Sequence, residues 1–129
     1  MTSEAPALKL KVSIALCTYN GAPYILEQLE SIEQQTWLPD EVIICDDVSQ
    51  DNTVELIQEY TERSKLPIQL FRNPENLGYG KNFCKAMSLT KGDIIFLADQ
   101  DDVWYPFKIE RFIKELEQSP NLLVLQCDA

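Results

Sequence analysis

Residues 93–106 read DIIFLADQDDVWYP. The run DIIFLA (93–98) is apolar, rich in branched and aromatic side chains, and of strand length. Lys91-Gly92 in front of it is a helix stop, and Asp99 to Tyr105 behind it form a polar loop. Pro106 then stands where a helix tolerates proline, in its first turn. Ile109, Phe112, Ile113 and Leu116 follow at i, i+3, i+4, i+7, one apolar helical face. The stretch is therefore a buried strand, an acidic loop and an amphipathic helix in succession.

The same unit recurs on both sides. VSIALC (12–17) is a strand, Thr18 to Pro23 a turn around Asn20-Gly21, and residues 24–34 a helix with Ile25, Leu29 and Ile32 on one side. EVIIC (41–45) is a second strand after Pro39-Asp40, followed by a polar loop (46–51) and a helix to about Ser64 with Val54, Ile57 and Tyr60 inward. Ile68 to Phe71 make a third strand, NPENLGYG (73–80) a loop, and the next helix runs to about Leu89 with Phe83 and Met87 inward. NLLVLQ (121–126) reads as a fifth strand, and residues 1–10 as a mobile tail. Strands alternating with crossover helices predict an α/β fold: a doubly wound, mainly parallel sheet with strands buried on both faces. Such sheets bind ligands outside the carboxyl ends of their strands.

Composition narrows the function. The chain has 129 residues, 45% apolar and 25% charged, which suits one globular domain (11–129) rather than a disordered segment. With 11 basic and 21 acidic residues the net charge is −10, against nucleic-acid binding and against electrostatic anchoring on anionic lipid. No run reaches the roughly 18 apolar residues of a membrane span, and the first residues lack the order of a signal peptide. Cys17, Cys45, Cys84 and Cys127 form no CxxC pair, and histidine is absent, against a zinc site and against Ser–His or Cys–His nucleophiles. Cysteines set in apolar runs read as reduced core thiols of a cytoplasmic protein.

Three strand ends carry the chemistry. They are Thr18-Tyr19-Asn20-Gly21, Asp46-Asp47-Val48-Ser49-Gln50-Asp51 and Asp99-Gln100-Asp101-Asp102. Right-handed crossovers bring all three to one edge, so Asp46, Asp47, Asp99, Asp101 and Asp102 crowd one rim. Clustered carboxylates repel unless a positive charge joins them, and a hard cation such as Mg²⁺ or Mn²⁺ prefers oxygen ligands and often completes its shell with phosphate. Helix capping explains any single one of Asp47, Ser49, Asp51 or Asp102 equally well. It does not explain three acids together at 99–102. Tyr19 has two readings, a ring stacked on a ligand or a ring packed on the sheet end, and Lys81 is either a phosphate contact or a solvated helix residue. Asn76-Leu77-Gly78 reads as a turn shaping the rim. Trp37, Trp104 and Tyr105 read as packing or rim aromatics.

Thr18-Tyr19-Asn20-Gly21, EVIICDDVSQDNT (41–53), NPENLGYGKN (73–82) and LADQDDVWYP (97–106) together resemble the ordered motifs of family 2 glycosyltransferases of the GT-A, Rossmann-like fold, over about residues 10–129. The DQDDVW wording is most similar to the rhamnosyltransferase-type branch. The resemblance implies a nucleoside-diphosphate sugar donor (UDP- or dTDP-linked), a saccharide or lipid-linked acceptor, Mn²⁺ or Mg²⁺, and inversion at the anomeric carbon. It implies that Asp46, beside Asp47, contacts the nucleotide base and that Thr18, Tyr19 and Asn20 line its pocket. It implies that Asp99 and Asp101 form the DxD motif holding ribose and metal, with Asp102 a further contact, and that Lys81 stands where the family often has Arg.

Two departures stand out. The family usually places a small residue, often Gly, where this chain has Val48; a β-branched residue disfavours positive φ, so the loop either takes an ordinary conformation there or tolerates strain. The family's domains are also longer, and their second half supplies the general base. The chain thus reads as the donor-binding half, at work in the cytoplasm or at the cytoplasmic face of a membrane, with a fifth strand open to self-association through its edge. A non-catalytic nucleotide-sugar binding domain is the alternative. A phosphoacceptor regulatory domain fits poorly, because it wants acids after the first and third strands, where this chain has Thr-Tyr-Asn and Arg-Asn-Pro. A dinucleotide-binding oxidoreductase lacks its GxGxxG.

Overall fold

The computed structural model describes residues 10–99 and 101–118. The expected fifth strand (121–126) and nearly all of the expected tail lie outside these residues. Strands β1 (Val12–Thr18), β2 (Glu41–Asp46), β3 (Ile68–Arg72) and β4 (Ile94–Asp99) alternate with helices α1 (Ile25–Glu33), α2 (Thr53–Arg63), α3 (Tyr79–Leu89) and α4 (Lys108–Gln118). All pairings are parallel, in the order β3-β2-β1-β4. The expected doubly wound α/β sheet is therefore present, and its strand order reverses between β1 and β4.

Alternation along the strands divides the core into two layers. Val12, Ile14 and Leu16 of β1 and Val42 and Ile44 of β2 face α1, α2 and α4, where they meet Ile25, Leu29, Ile32, Ile57, Tyr60, Ile109 and Ile113. Ala15, Cys17, Ile43 and Cys45 face the other way, onto Phe83 and Ala86 of α3. Chain direction explains the split. The β1–β2 and β2–β3 crossovers move one way along the sheet; the β3–β4 crossover returns past β1, so a right-handed α3 must lie on the opposite face.

The structure corrects two details. Met87 is 40% exposed, and Ala86 turns inward with Phe83 instead, because α3 packs along Asn82, Phe83 and Ala86. Burial on both faces holds for β1 and β2 but not for β3, where Gln69 is exposed, or β4: α3 covers the centre of the sheet and leaves Ile95 and Leu97 exposed, Leu97 at 52%. Helix α4 begins at Lys108, with Pro106 in the turn before it, so Asp102 lies too far upstream to cap it. Trp104 is buried against Phe96, with the Lys108 ammonium over its ring. Trp37 and Tyr105 are exposed.

Ile44, fully buried in a central strand, sets a test of this layering. Ile44→Ala is expected to lower the unfolding free energy in urea by about 2–5 kcal/mol. Leu97→Ala, on the open face of β4, is expected to change it by less than about 0.5 kcal/mol.

Candidate functional site

The carboxyl ends of β1, β2 and β4 lie together because the strands are in register: Thr18 is opposite Asp46, and Cys17 is opposite both Cys45 and Asp99. Alternation then sends the two acids at the end of β2 to opposite sides. Asp46 faces the α1–α2 layer and Asp47 the α3 layer. Both are almost wholly buried, Asp46 at 1% and Asp47 at 4% exposure. Carboxylates this deep persist only with hydrogen-bond donors around them.

Asp46 takes its donors from the first two loops. The Thr18 hydroxyl donates to Asp46 Oδ1 at 2.6 Å, and Ser49 donates its hydroxyl at 2.6 Å and its backbone N–H at 2.8 Å. The Ser49 hydroxyl oxygen in turn accepts the Asn20 N–H, and the Asn20 side-chain oxygen accepts the Gln50 N–H. Asp51 accepts the N–H groups of Ala22 and Thr53, and Thr53 Oγ1 accepts the Gly21 N–H. Asp51, rather than Asp47 or Ser49, thus serves the first turn of α2. Asn20 and Val48 have φ of 49° and 65°. Of the two outcomes open for Val48, the loop tolerates strain: stitching to Ser49 and Asn73 over-determines its conformation.

Asp47 takes its donors from the β3–α3 loop. The Leu77 and Gly78 N–H groups donate to its two oxygens at 2.7 and 2.9 Å, and the Asn73 amide donates at 2.9 Å. Asn73 also donates to Asn82 Oδ1 and accepts from Lys85 Nζ at 2.7 Å, while the Asn82 amide donates to the Cys45 carbonyl. Burial alone pushes the Asp47 carboxyl up. The N–H of Leu77, the Asn73 amide, the N–H of Gly78 and the Lys85 charge outweigh it and hold Asp47 below the ordinary carboxylate range. Asn76-Leu77-Gly78 shape the rim as expected.

A cleft of about 420 Å³ opens over this frame. Cys17, Thr18 and Tyr19 line it from β1, Asp99 from β4, Asp47 from β2, and Asn76, Gly78, Tyr79 and Asn82 from the α3 side. Tyr19 is 46% exposed and lines the cleft. The Tyr79 hydroxyl donates to Asp99 Oδ2 at 3.2 Å. Burial, and then the charge of Asp99, push the Tyr79 phenol up, which keeps it a donor. Burial first, then the neighbouring Cys45, Asp99 and Asp47, push the Cys17 thiol up to about 12, so it is neither nucleophile nor thiolate ligand at neutral pH.

The structure thus brings Thr18, Tyr19, Asp47 and Asp99 to one cleft. Asp46, buried, and Asn20, exposed, lie outside its lining and brace the first two loops. Asp101 and Asp102 follow Asp99 in a turn closed by the Asp102 N–H on the Asp99 carbonyl. Lys81 is exposed on the first turn of α3, outside the cleft lining. The lysine that reaches the frame is Lys85, which sequence reasoning missed along with Asn73 and Tyr79. Lys85 follows the buried Asn82 by three residues, which places it toward the sheet-facing side of α3, a signal present in the periodicity. Among the described residues, no three acidic or thiol groups gather closely enough to hold a metal ion by themselves. Among them, too, no helix is long and apolar enough to cross a membrane.

Comparison with known proteins gives this edge a family. The family profile described as glycosyl transferase family 2 matches residues 13–128. The chain belongs to glycosyl transferase family 2. It is 37% identical over 108 residues to the glycosyltransferase YwdF of Bacillus subtilis, covering 84% of this chain and 39% of that protein. It is 37% identical over 102 residues to the dTDP-rhamnosyl transferase RfbG of Shigella flexneri, covering 76% of this chain and 35% of that one. Its fold matches the crystal structure of Staphylococcus aureus TarS 1–349 in complex with UDP (TM-score 0.76, 27% identity, 84% of this chain and 32% of that 1–349 chain). It also matches the mannosyltransferase PcManGT of Pyrobaculum calidifontis in complex with GDP-Man and Mn²⁺ (TM-score 0.79, 27% identity, 88% and 34%). These likenesses bear out the expected family and GT-A fold. The chain spans about a third of the length of the relatives it matches.

Two outcomes test the frame. Val48→Gly, which removes the Cβ from a positive-φ position, is expected to stabilise the chain by about 0.5–1.5 kcal/mol in urea unfolding. Asp47 has a folded-state pKa below its unfolded value of about 3.9. Its contribution is complete above about pH 4 and is lost as pH falls through the folded value. Asp47→Asn is therefore expected to be less stable than the parent at pH 7 and to lose less stability on acidification; Glu33, Glu41 and Asp51, also held low, keep part of the slope.

Proposed function

We propose that the cleft binds a nucleoside-diphosphate sugar, UDP- or dTDP-linked, and that the chain is the donor-binding part of a metal-dependent, inverting transferase acting on a saccharide or lipid-linked hydroxyl. The observation that carries this reading is the pairing of Tyr19 and Asp99 across the point where the strand order reverses, with Asp101 and Asp102 next to Asp99. Supporting it, TarS has been crystallised with UDP and with UDP-GlcNAc, and PcManGT with GDP-Man and Mn²⁺.

In this reading the ring of Tyr19 stacks on the base, with Thr18 and Asn20 shaping the pocket. Asp47 borders the cleft, and Asp46, buried outside its lining, braces the loops that shape the base pocket. Asp99, Asp101 and Asp102 are an all-oxygen donor set, which suits Mn²⁺ or Mg²⁺ held by one or two carboxylates, with phosphate and water as the remaining ligands. When bound, the cation offsets the charge gained by the departing nucleoside diphosphate. Lys81 and Lys85 add positive charge on the α3 side of the diphosphate. Free thiols at Cys17, Cys45 and Cys84 suit work in the cytoplasm or at the cytoplasmic face of a membrane.

Calorimetric titration of UDP and dTDP, with Mn²⁺ and with EDTA, tests the reading. Binding is expected with Mn²⁺, weakened at least about tenfold by EDTA or by Asp101→Ala. No binding of either nucleotide in the presence of Mn²⁺ overturns it.

A further inference from the structure

Helix α1 and the residues just after it carry a polar stripe, with Gln28, Ser31 and Gln35 at i, i+3, i+7. The chain that follows the acidic loop is bonded to this stripe in antiparallel order. The Trp104 N–H donates to Ser31 Oγ at 3.1 Å, Gln35 Nε2 donates to the Tyr105 carbonyl at 2.6 Å, and the Thr36 N–H donates to the Pro106 carbonyl at 2.9 Å. Gln35 Oε1 also accepts the Ile109 N–H. Gln28 is the exception. It is fully buried, yet neither its Nε2 nor its Oε1 has a hydrogen-bond partner. Among the described residues, the other buried side-chain group left so is the indole N–H of Trp104, the residue that Ser31 holds. A buried amide without partners destabilises a fold, and an apolar side chain of the same shape would not.

Register names the partner that Gln28 lacks. From Ser31 back to Gln28 the helix rises about 4.5 Å, a distance that an extended chain covers in one to two residues before Trp104. Exposure alternates there as in an extended chain: Asp102 is half-buried, Val103 exposed and Trp104 buried. With the Trp104 N–H turned to α1, alternation of the peptide units turns the Asp102 carbonyl to the same side. We propose that Gln28 is a positioning residue for the acidic segment. Once a cation and diphosphate engage Asp101 and Asp102, the Gln28 amide donates to the Asp102 carbonyl and fixes the segment. This rests on the donor-site reading above. The amide then contributes to binding and subtracts from the stability of the chain alone.

Gln28→Met keeps the length of the side chain and removes both polar atoms. Gln35→Met, two turns further on, removes an amide that is fully engaged. Thermal melts without nucleotide and calorimetric titrations of UDP with Mn²⁺, run on the parent and both variants, test the proposal. Gln28→Met is expected to raise the midpoint by at least about 2 °C, and Gln35→Met to lower it. Gln28→Met is also expected to weaken Mn²⁺-dependent UDP binding about 5- to 30-fold. In ¹⁵N spectra, the Val103 amide shares a peptide unit with the Asp102 carbonyl, and its shift on adding UDP and Mg²⁺ is expected to be smaller in Gln28→Met than in the parent. A midpoint at or below the parent's in Gln28→Met overturns the proposal, because the amide is then already paired in the chain alone. A rise in both variants overturns it too, since methionine itself is then the cause. So does parental UDP affinity in Gln28→Met, or a Val103 shift equal to the parent's. If the parent shows no Mn²⁺-dependent UDP binding, the donor-site reading fails first, and this inference with it. The two failures are thus distinct.

Discussion

Two adjacent carboxylates, Asp46 and Asp47, are buried at the end of a central strand, and each must find donors. The pleat sends them to opposite faces, so they draw on different loops. Asp46 gathers Thr18 and Ser49, and through Ser49 the N–H of Asn20. Asp47 gathers Asn73, Leu77 and Gly78. Three loops that have no contact with one another in sequence are fixed by one dipeptide. Everything at this edge of the sheet follows from satisfying these two charges.

That constraint separates the acids of the rim by task. Asp46, Asp47 and Asp51 are engaged with backbone and side-chain donors and build the frame. Asp99 lines the cleft, Asp101 is exposed and Asp102 is half-buried. A rim that looked uniformly acidic is thus divided into acids that build the frame and acids at the cleft side of it. Strain is confined to the frame: Val48 holds a φ of 65° because the hydrogen bonds on either side leave its backbone no alternative.

Much of this was legible in the chain. Strand runs such as VSIALC and EVIIC and the helical faces at Ile25, Leu29, Ile32 and Val54, Ile57, Tyr60 all fell where hydrophobic period placed them, because burial decides both. Convergence of the strand ends was legible too, since handed crossovers leave little choice. Met87 misled because two helical registers, 83/87 and 83/86, look alike in sequence, and only the width of the sheet beneath α3 selects one. The Asn73–Asn82–Lys85 network was hidden for another reason. Its members are polar, lie up to 12 residues apart, and gain meaning only from a buried charge on a different strand. The contact from Tyr79 to Asp99 likewise crosses 20 residues.

In the proposed function the strand ends form one cation–diphosphate site. Paramagnetic broadening by Mn²⁺ of amide resonances in the UDP-bound, ¹⁵N-labelled chain measures it directly. Broadening is expected to centre on residues 99–102 and to reach 18–20 and 77–79, with the opposite end of the sheet, near Lys11, Asp40 and Asp93, sharp. Broadening centred on that opposite end, or spread evenly over the acidic surface, would contradict it.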